Sequence, residues 1–169
     1  QYSSYIVDFR YSTLKLFQLM GLNFGTGTAV PDYSDGFFKL SFPNKKGKTE
    51  FWGLGGASDI AFLDSEQKDD NLFQESGEDL LFTSKIGVTG LSNTYRFNDK
   101  SYLKTTFSVD ATYNQIARNY LDTITQLYDP NYRNTSTEGK QSLNLIFNHK
   151  HSAKHLFKVG SYNYRRFFN

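Results

Sequence analysis

From Leu103 to Tyr113 the chain reads LKTTFSVDATY, an almost unbroken alternation of apolar and polar residues. Leu103, Thr105, Phe107, Val109, Ala111 and Tyr113 share one parity; Lys104, Thr106, Ser108, Asp110 and Thr112 share the other. Successive side chains of a strand point to opposite faces, so this segment is a ribbon with one apolar and one charged face. A single ribbon of this kind describes any half-buried strand. Its recurrence, in segments joined by alternately long and short connections, points instead to the wall of an outer-membrane barrel.

Seven such segments can be read. The first, Ser4 to Thr13, sets Tyr5, Val7, Phe9 and Tyr11 against Asp8, Arg10 and Ser12. A Gly- and Thr-rich connection containing Pro31 follows, and its start, Leu14 to Met20, fits a short helix at a 3.6-residue period. The second, Phe37 to Phe42, sets Phe38, Leu40 and Phe42 against Lys39 and Ser41. PNKKGK then makes a tight turn. In the third, Thr49 to Phe62, the expected apolar side is Trp52, Leu54, Gly56, Ser58 and Ile60.

An acidic loop, DSEQKDDNLFQESGED, leads to the fourth segment, Leu81 to Phe97. There Ile86 and Val88 have one parity and Leu91, Tyr95 and Phe97 the other, which predicts a bulge near Gly90. Asn98-Asp99-Lys100 makes a second tight turn into the alternating segment. A polar loop is expected from Asn119 to Gly139. The sixth segment, Gln141 to Asn148, groups Leu143, Leu145 and Phe147, with Ile146 out of phase. HKHSAKH is the third short turn, and the seventh segment, Leu156 to Phe168, alternates poorly.

Most of these segments exceed the five or six residues usual in globular proteins. At ~3.3 Å per residue and a tilt near 40°, about 10 residues cover the ~25 Å apolar band of an outer-membrane barrel. Short turns then face the periplasm and long loops the outside. A soluble lipocalin-type barrel shares the alternation but turns its polar face outward, so parity does not separate the two. Strand length and connection rhythm favour the membrane.

Composition agrees. Aromatic residues make up 17% of 169 residues, with 12 Tyr and 16 Phe, although mean hydropathy is only −0.57. Disordered chains are poor in aromatics. A helical membrane protein needs runs of about 18 apolar residues, whereas a barrel needs only every second residue to be apolar. A net charge of +2 without a basic stripe gives no reason to expect a nucleic-acid partner. Without cysteine there is no disulfide framework. The start, QYSSYIVDFRY, lacks the basic-then-apolar pattern of a signal peptide.

Charge placement assigns the faces. A Lys or Arg on the lipid side costs roughly 2–4 kcal/mol at the midplane, and Asp8, Arg10, Lys39, Lys104 and Asp110 all oppose the aromatics. The polar face is therefore read as a wet lumen. Its candidate ligand-contacting residues are Arg10, Lys39, Lys85, Lys104 and Asp110. Seven strands, however, leave two open edges, which hydrocarbon does not satisfy, and bacterial barrels have even strand numbers. The expectation is one barrel segment spanning 1–169, all-β and antiparallel, forming part of a larger barrel.

Three runs carry a family resemblance: SSYIVDFRYSTLKLF, GLNFGTGTAVPDYSDGFFKLSFPNKKGKTEFWGLGGASDIAFLDSE and SKIGVTGLSNTYRFNDKSYLKT. In sequence and order they resemble the barrel of TonB-dependent outer-membrane receptors of the Bacteroidetes, over roughly the first two thirds of the chain. The resemblance implies a 22-stranded barrel in the bacterial outer membrane, closed by a plug and driven through TonB, that takes up scarce or bulky ligands. Implied partners are outer-membrane lipid, the remainder of the barrel, the plug (through which alone TonB would act) and a possible surface lipoprotein. No plug or TonB box is found here, so no transport residue is carried over. Two other readings stay open: a small self-contained barrel with a structural or adhesive role, and a soluble calycin-like binding protein.

Other motifs have plainer explanations. His149, His151 and His155 form H-x-H-x-x-x-H, where a basic turn is a better reading than metal ligation. The acidic stretch Asp64 to Asp79 lacks EF-hand spacing. GTGT and GLGG match no phosphate-binding fingerprint and suit barrel bends. Asn134-Thr135-Ser136 is a sequon of little weight on a bacterial reading. No catalytic constellation appears, so no enzyme, cofactor or metal is expected.

Overall fold

A computed structural model describes residues 2–12, 20, 31–63, 77–122 and 124–169. The helix expected over Leu14 to Met20 (Met20 apart), the GTGT run and positions 64–76 of the acidic connection lie outside them. Seven strands form one antiparallel meander: β1 Ser4–Tyr11, β2 Asp32–Asn44, β3 Gly47–Leu63, β4 Glu78–Asn98, β5 Ser101–Leu121, β6 Tyr128–Lys150 and β7 Leu156–Phe168. Their spatial order is their chain order, and the sheet is not closed. Meander topology places all three short turns at one end and the other three connections at the opposite end.

Side chains build the short turns. In the β2–β3 turn the Asn44 side-chain oxygen accepts from the Lys46 N–H at 2.9 Å, and in the β4–β5 turn Asn98 accepts from Lys100 at 2.9 Å. These are Asx turns, in which a short side chain imitates a backbone acceptor. Gly47 closes the first at φ 152°, where a Cβ would fall 1.8 Å from the Thr94 carbonyl oxygen. In the β6–β7 turn the Ser152 hydroxyl accepts from the amides of Lys154 and His155 at 3.2 and 3.1 Å.

Two sequence expectations fail here. The bulge near Gly90 is absent, because the β4–β5 register runs unbroken from Glu78 to Arg96 and shifts only between Arg96 and Asn98. Nor is Asn119 to Gly139 a loop. β5 continues to Leu121 and β6 starts at Tyr128, leaving a connection over 122–127 that Asp122 caps. Its carboxylate accepts from the Ile124 and Thr125 amides at 2.7 and 3.2 Å. The sequon therefore lies within β6. The ladder's second irregularity sets Arg118 opposite Tyr132 and Asn119 opposite Pro130, a bulge that suits a residue with no N–H to donate.

A conventional core is missing. Among the described residues Ala117 is the only buried hydrophobic, whereas Ser12, Glu50, Glu78, Asp79, Ser92, Ser101, Ser142 and Asn148 are buried polar groups. Large apolar side chains are exposed instead, including Val7 at 68%, Phe9 at 71% and Phe107 at 48%. Hydrophobic burial within this chain therefore does not account for the fold. What holds the strands to one another is the ladder and the contacts across it.

Candidate functional site

Directly paired residues share a face, so the registers assign each side chain. Tyr5, Leu40, Phe51, Leu91, Phe107 and Leu143 form one row across six strands. This aromatic face also holds Phe38, Leu103, Leu145 and Phe147, as the alternation predicts. Ile146 pairs with Lys104 and Gly160 on the other side, again as read from sequence.

The opposite face is an ion-pair face. Arg10 grips Asp35, its register partner, through Nε at 3.0 Å and Nη2 at 2.8 Å. Glu50 sits between two lysines, 3.0 Å from Lys39 and 2.9 Å from Lys48, with its side chain only 9% exposed. Asp110 meets its partner Lys140 at 3.4 Å, and Glu78 meets Arg118 at 3.4 Å. Hydroxyls fill the gaps: Ser92 lies 3.1 Å from Thr106 and accepts from the Trp52 indole at 3.2 Å. Exposed pairs contribute only ~0.2–1 kcal/mol each. Their information is directional, since cations and anions gather where the apolar row is not.

Four of the five candidate residues, Arg10, Lys39, Lys104 and Asp110, lie on this face. Lys85 does not. It pairs with Ala57 and Tyr113 on the aromatic face, its ammonium 5.9 Å from the Tyr113 ring centroid. The unbroken register is the reason: without a bulge, Ile86 and Val88 fall on the ion-pair face and Lys85 opposite them. Trp52, Leu54, Gly56, Ser58 and Ile60 likewise belong to the ion-pair face, because Trp52 pairs with Lys39 and shares parity with Glu50. Phe37, Leu54 and Val88 thus make an apolar patch within that polar surface, paired side by side. β7 departs as well, with Tyr162 and Tyr164 paired to Asn144 and Ser142 on the ion-pair face.

Small residues form a second row on the aromatic face: Gly36, Gly55, Gly87, Ala111 and Gly139, ending at Phe9 and Phe167. Gly36, Gly55, Gly87 and Ala111 of this row line a shallow trough of about 630 Å³, and ten of its fifteen lining residues belong to the aromatic face. Gly139, under the Phe167 ring, and other nearby glycines are roofed instead. A Cβ on Gly53 would meet the Phe38 ring at 2.6 Å, and one on Gly90 the Trp52 ring at 2.6 Å. Aromatic rings laid over glycine in this way help pin the register of a curved sheet.

The three histidines form no ligand set: His149 Nδ1 is 2.8 Å from the Ser101 hydroxyl, and among the described residues no three His, Cys, Asp or Glu gather as metal ligands. A smaller pocket of about 170 Å³ between Asp110, Glu138, Lys140 and Arg166 is the polar recess of the ion-pair face. Chemically the sheet offers two unlike surfaces among the described residues. No family model matches the chain, and no curated protein or solved structure matches it either.

Proposed function

We propose that the chain is an arc of an outer-membrane barrel of the TonB-dependent receptor type, with uptake of a scarce or bulky ligand belonging to the whole assembly. The observation that carries this reading is the inversion of burial. Most of the exposed aromatic and aliphatic rows lie on one face, while the ion pairs and hydroxyls, with the Phe37, Leu54 and Val88 patch and the β7 tyrosines among them, lie on the other. Water penalises that arrangement, and hydrocarbon outside with water inside rewards it. The exposed row then faces acyl chains, which also cover the glycine trough. The ion-pair face lines the lumen, where Arg10, Lys39, Lys104 and Asp110 meet water, ligand or plug.

The two open edges support membership of a larger barrel. β1 pairs only with β2 and β7 only with β6 among the described residues, and unpaired edge groups in hydrocarbon cost several kcal/mol each. A self-contained barrel is less well supported for that reason. A calycin-like protein would bury apolar side chains inside, whereas the buried set here is polar.

Cell fractionation tests the reading. The polypeptide carrying this chain is expected in the outer-membrane fraction, resistant to urea and salt washing and heat-modifiable on gels. Recovery as a soluble protein at high concentration without detergent would overturn it.

A further inference from the structure

We infer that the short-turn end of this wall is a docking rim for the headgroups of anionic phospholipids. The inference rests on the barrel reading above and deepens it by naming the lipid class at one end. Charge along the chain is segregated. Within five residues of the three short turns lie nine of the 19 Lys and Arg but only two of the 17 Asp and Glu, Glu50 and Asp99. All three histidines are there too. Glu50 is taken up by Lys39 and Lys48, so the tips Lys45, Lys46, Lys100 and Lys154 stand exposed with little acid beside them.

The fold gathers these tips. The Arg96 amide donates to the Lys46 carbonyl at 2.6 Å, and the Lys150 amide to the Lys100 carbonyl at 2.8 Å. Each turn is thereby tied to the hairpin beside it, and the lysines follow one rim. Just inside that rim, on the aromatic face, lie Phe42, Tyr95, Phe97 and Phe157, at 48%, 40%, 56% and 56% exposure. Tyr95 and Phe97 pack edge to face at 5.2 Å. The Lys46 ammonium donates to the Tyr95 hydroxyl at 3.0 Å, joining rim to belt.

An aromatic belt with cations immediately beyond it is the composition of a membrane interface. With the belt at the hydrocarbon boundary, the lysines fall at headgroup depth, where anionic lipid attracts near-surface Lys or Arg by about fivefold per charge. An acidic protein would complement the same charge but gives no role to the exposed rings. That continuity favours lipid.

The test uses the intact polypeptide that carries this chain, reconstituted in dilauroylphosphatidylcholine with spin-labelled phosphatidylglycerol or spin-labelled phosphatidylcholine as probe. Electron paramagnetic resonance reads the protein-immobilised fraction of each. Phosphatidylglycerol is expected to be immobilised several-fold more strongly, with the excess falling as NaCl rises. Substituting Lys45, Lys46, Lys100 and Lys154 with Gln should abolish the excess, whereas Arg133→Gln at the other end should leave it. Those side chains do not build the turns, which Asn44, Asn98 and Ser152 cap, and salt sensitivity of the unsubstituted protein is an independent readout. Equal immobilisation of both lipids, or an excess that survives the substitutions, overturns the inference alone. No immobilised fraction for either lipid overturns the barrel reading itself.

Discussion

The β5–β6 hairpin contains two halves built on one ladder. Near the short turns, Leu103, Phe107, Leu143 and Phe147 share the aromatic face, and Lys104, Asp110 and Lys140 the other. Beyond Ala111 the pairs become Asn114 with Ser136, Gln115 with Thr135 and Ile116 with Asn134, largely polar on both faces. Pairing continues through both halves, with one register shift between Arg118 and Asn119, and β6 reaches 23 residues, about twice what a ~25 Å band needs. Alternation therefore reports surroundings, while backbone pairing reports the strand. In the proposed membrane frame the first half lies in the bilayer and the second projects into water.

The largest expected contrast is a charge placed in each half. Phe107→Arg should lower stability in lipid vesicles by about 2–4 kcal/mol, as an unpaired cation near the midplane. Thr135→Arg, on the same face but in the far half, should change it by less than about 0.5 kcal/mol. Urea unfolding in vesicles measures both, and equal effects would erase the distinction between the halves.

Glycine substitutions sharpen the picture inside the apolar half. Gly90→Ala puts a methyl into the Trp52 ring and 2.9 Å from the Phe107 carbonyl, and about 1–3 kcal/mol of destabilisation is expected. At Gly87 a Cβ meets nothing within 4 Å, so Gly87→Ala should be neutral or stabilise by up to about 1 kcal/mol. Thermal or urea midpoints separate the two.

The ion pairs offer a smaller comparison. Glu50, near the short turns, serves two lysines, and Glu78, at the far end, meets Arg118; their side chains are 9% and 10% exposed. Glu50→Gln should cost about 1 kcal/mol, because it leaves two cations facing a neutral amide. Glu78→Gln should cost less. A reversed order would mean that the far half is the drier one.

The smallest effect is one of pH. Short turns are capped by the neutral side chains of Asn44, Asn98 and Ser152, but the far turn by the Asp122 carboxylate. Hydrogen bonds from the amides of Ile124 and then Thr125 hold the Asp122 carboxyl below the usual carboxylate range. A depressed folded pKa adds stability that is complete above the unfolded pKa and is lost as pH falls through the folded one. Amide exchange at Ile124 should thus rise on acidification relative to the pH-adjusted intrinsic rate. Amides at Lys46 and Lys100 should not follow, and Asp122→Asn should remove the response.

What was legible in the sequence follows the same division. The seven strands, their antiparallel order and the faces of β1, β2, β5 and the near half of β6 could be read, because there a charged residue alternates with a ring. The far half of β6 looks like loop in the sequence, since a strand wet on both sides loses the period-two signal while keeping its hydrogen bonds. Glycine hides the phase of Lys85, Trp52 and Leu54: at GLGG parity rests on too few side chains, and in β4 the expected bulge near Gly90 is absent. Only pairing partners, Lys39 for Trp52 and Tyr113 for Lys85, restore the phase.

The central claim is that β5 divides hydrocarbon from water. This stretch contains no cysteine, so single cysteines placed from Leu103 to Tyr113 in the intact protein, with any cysteine elsewhere replaced, in native outer membranes, are its most direct probe. Membrane-impermeant maleimide entering from the aqueous side is expected to label 104, 106, 108, 110 and 112 and to spare 103, 105, 107, 109 and 111. A lipid-soluble reagent should give the complementary pattern. Uniform labelling by the aqueous reagent, or the two patterns exchanged, would contradict the assignment of faces on which the account stands.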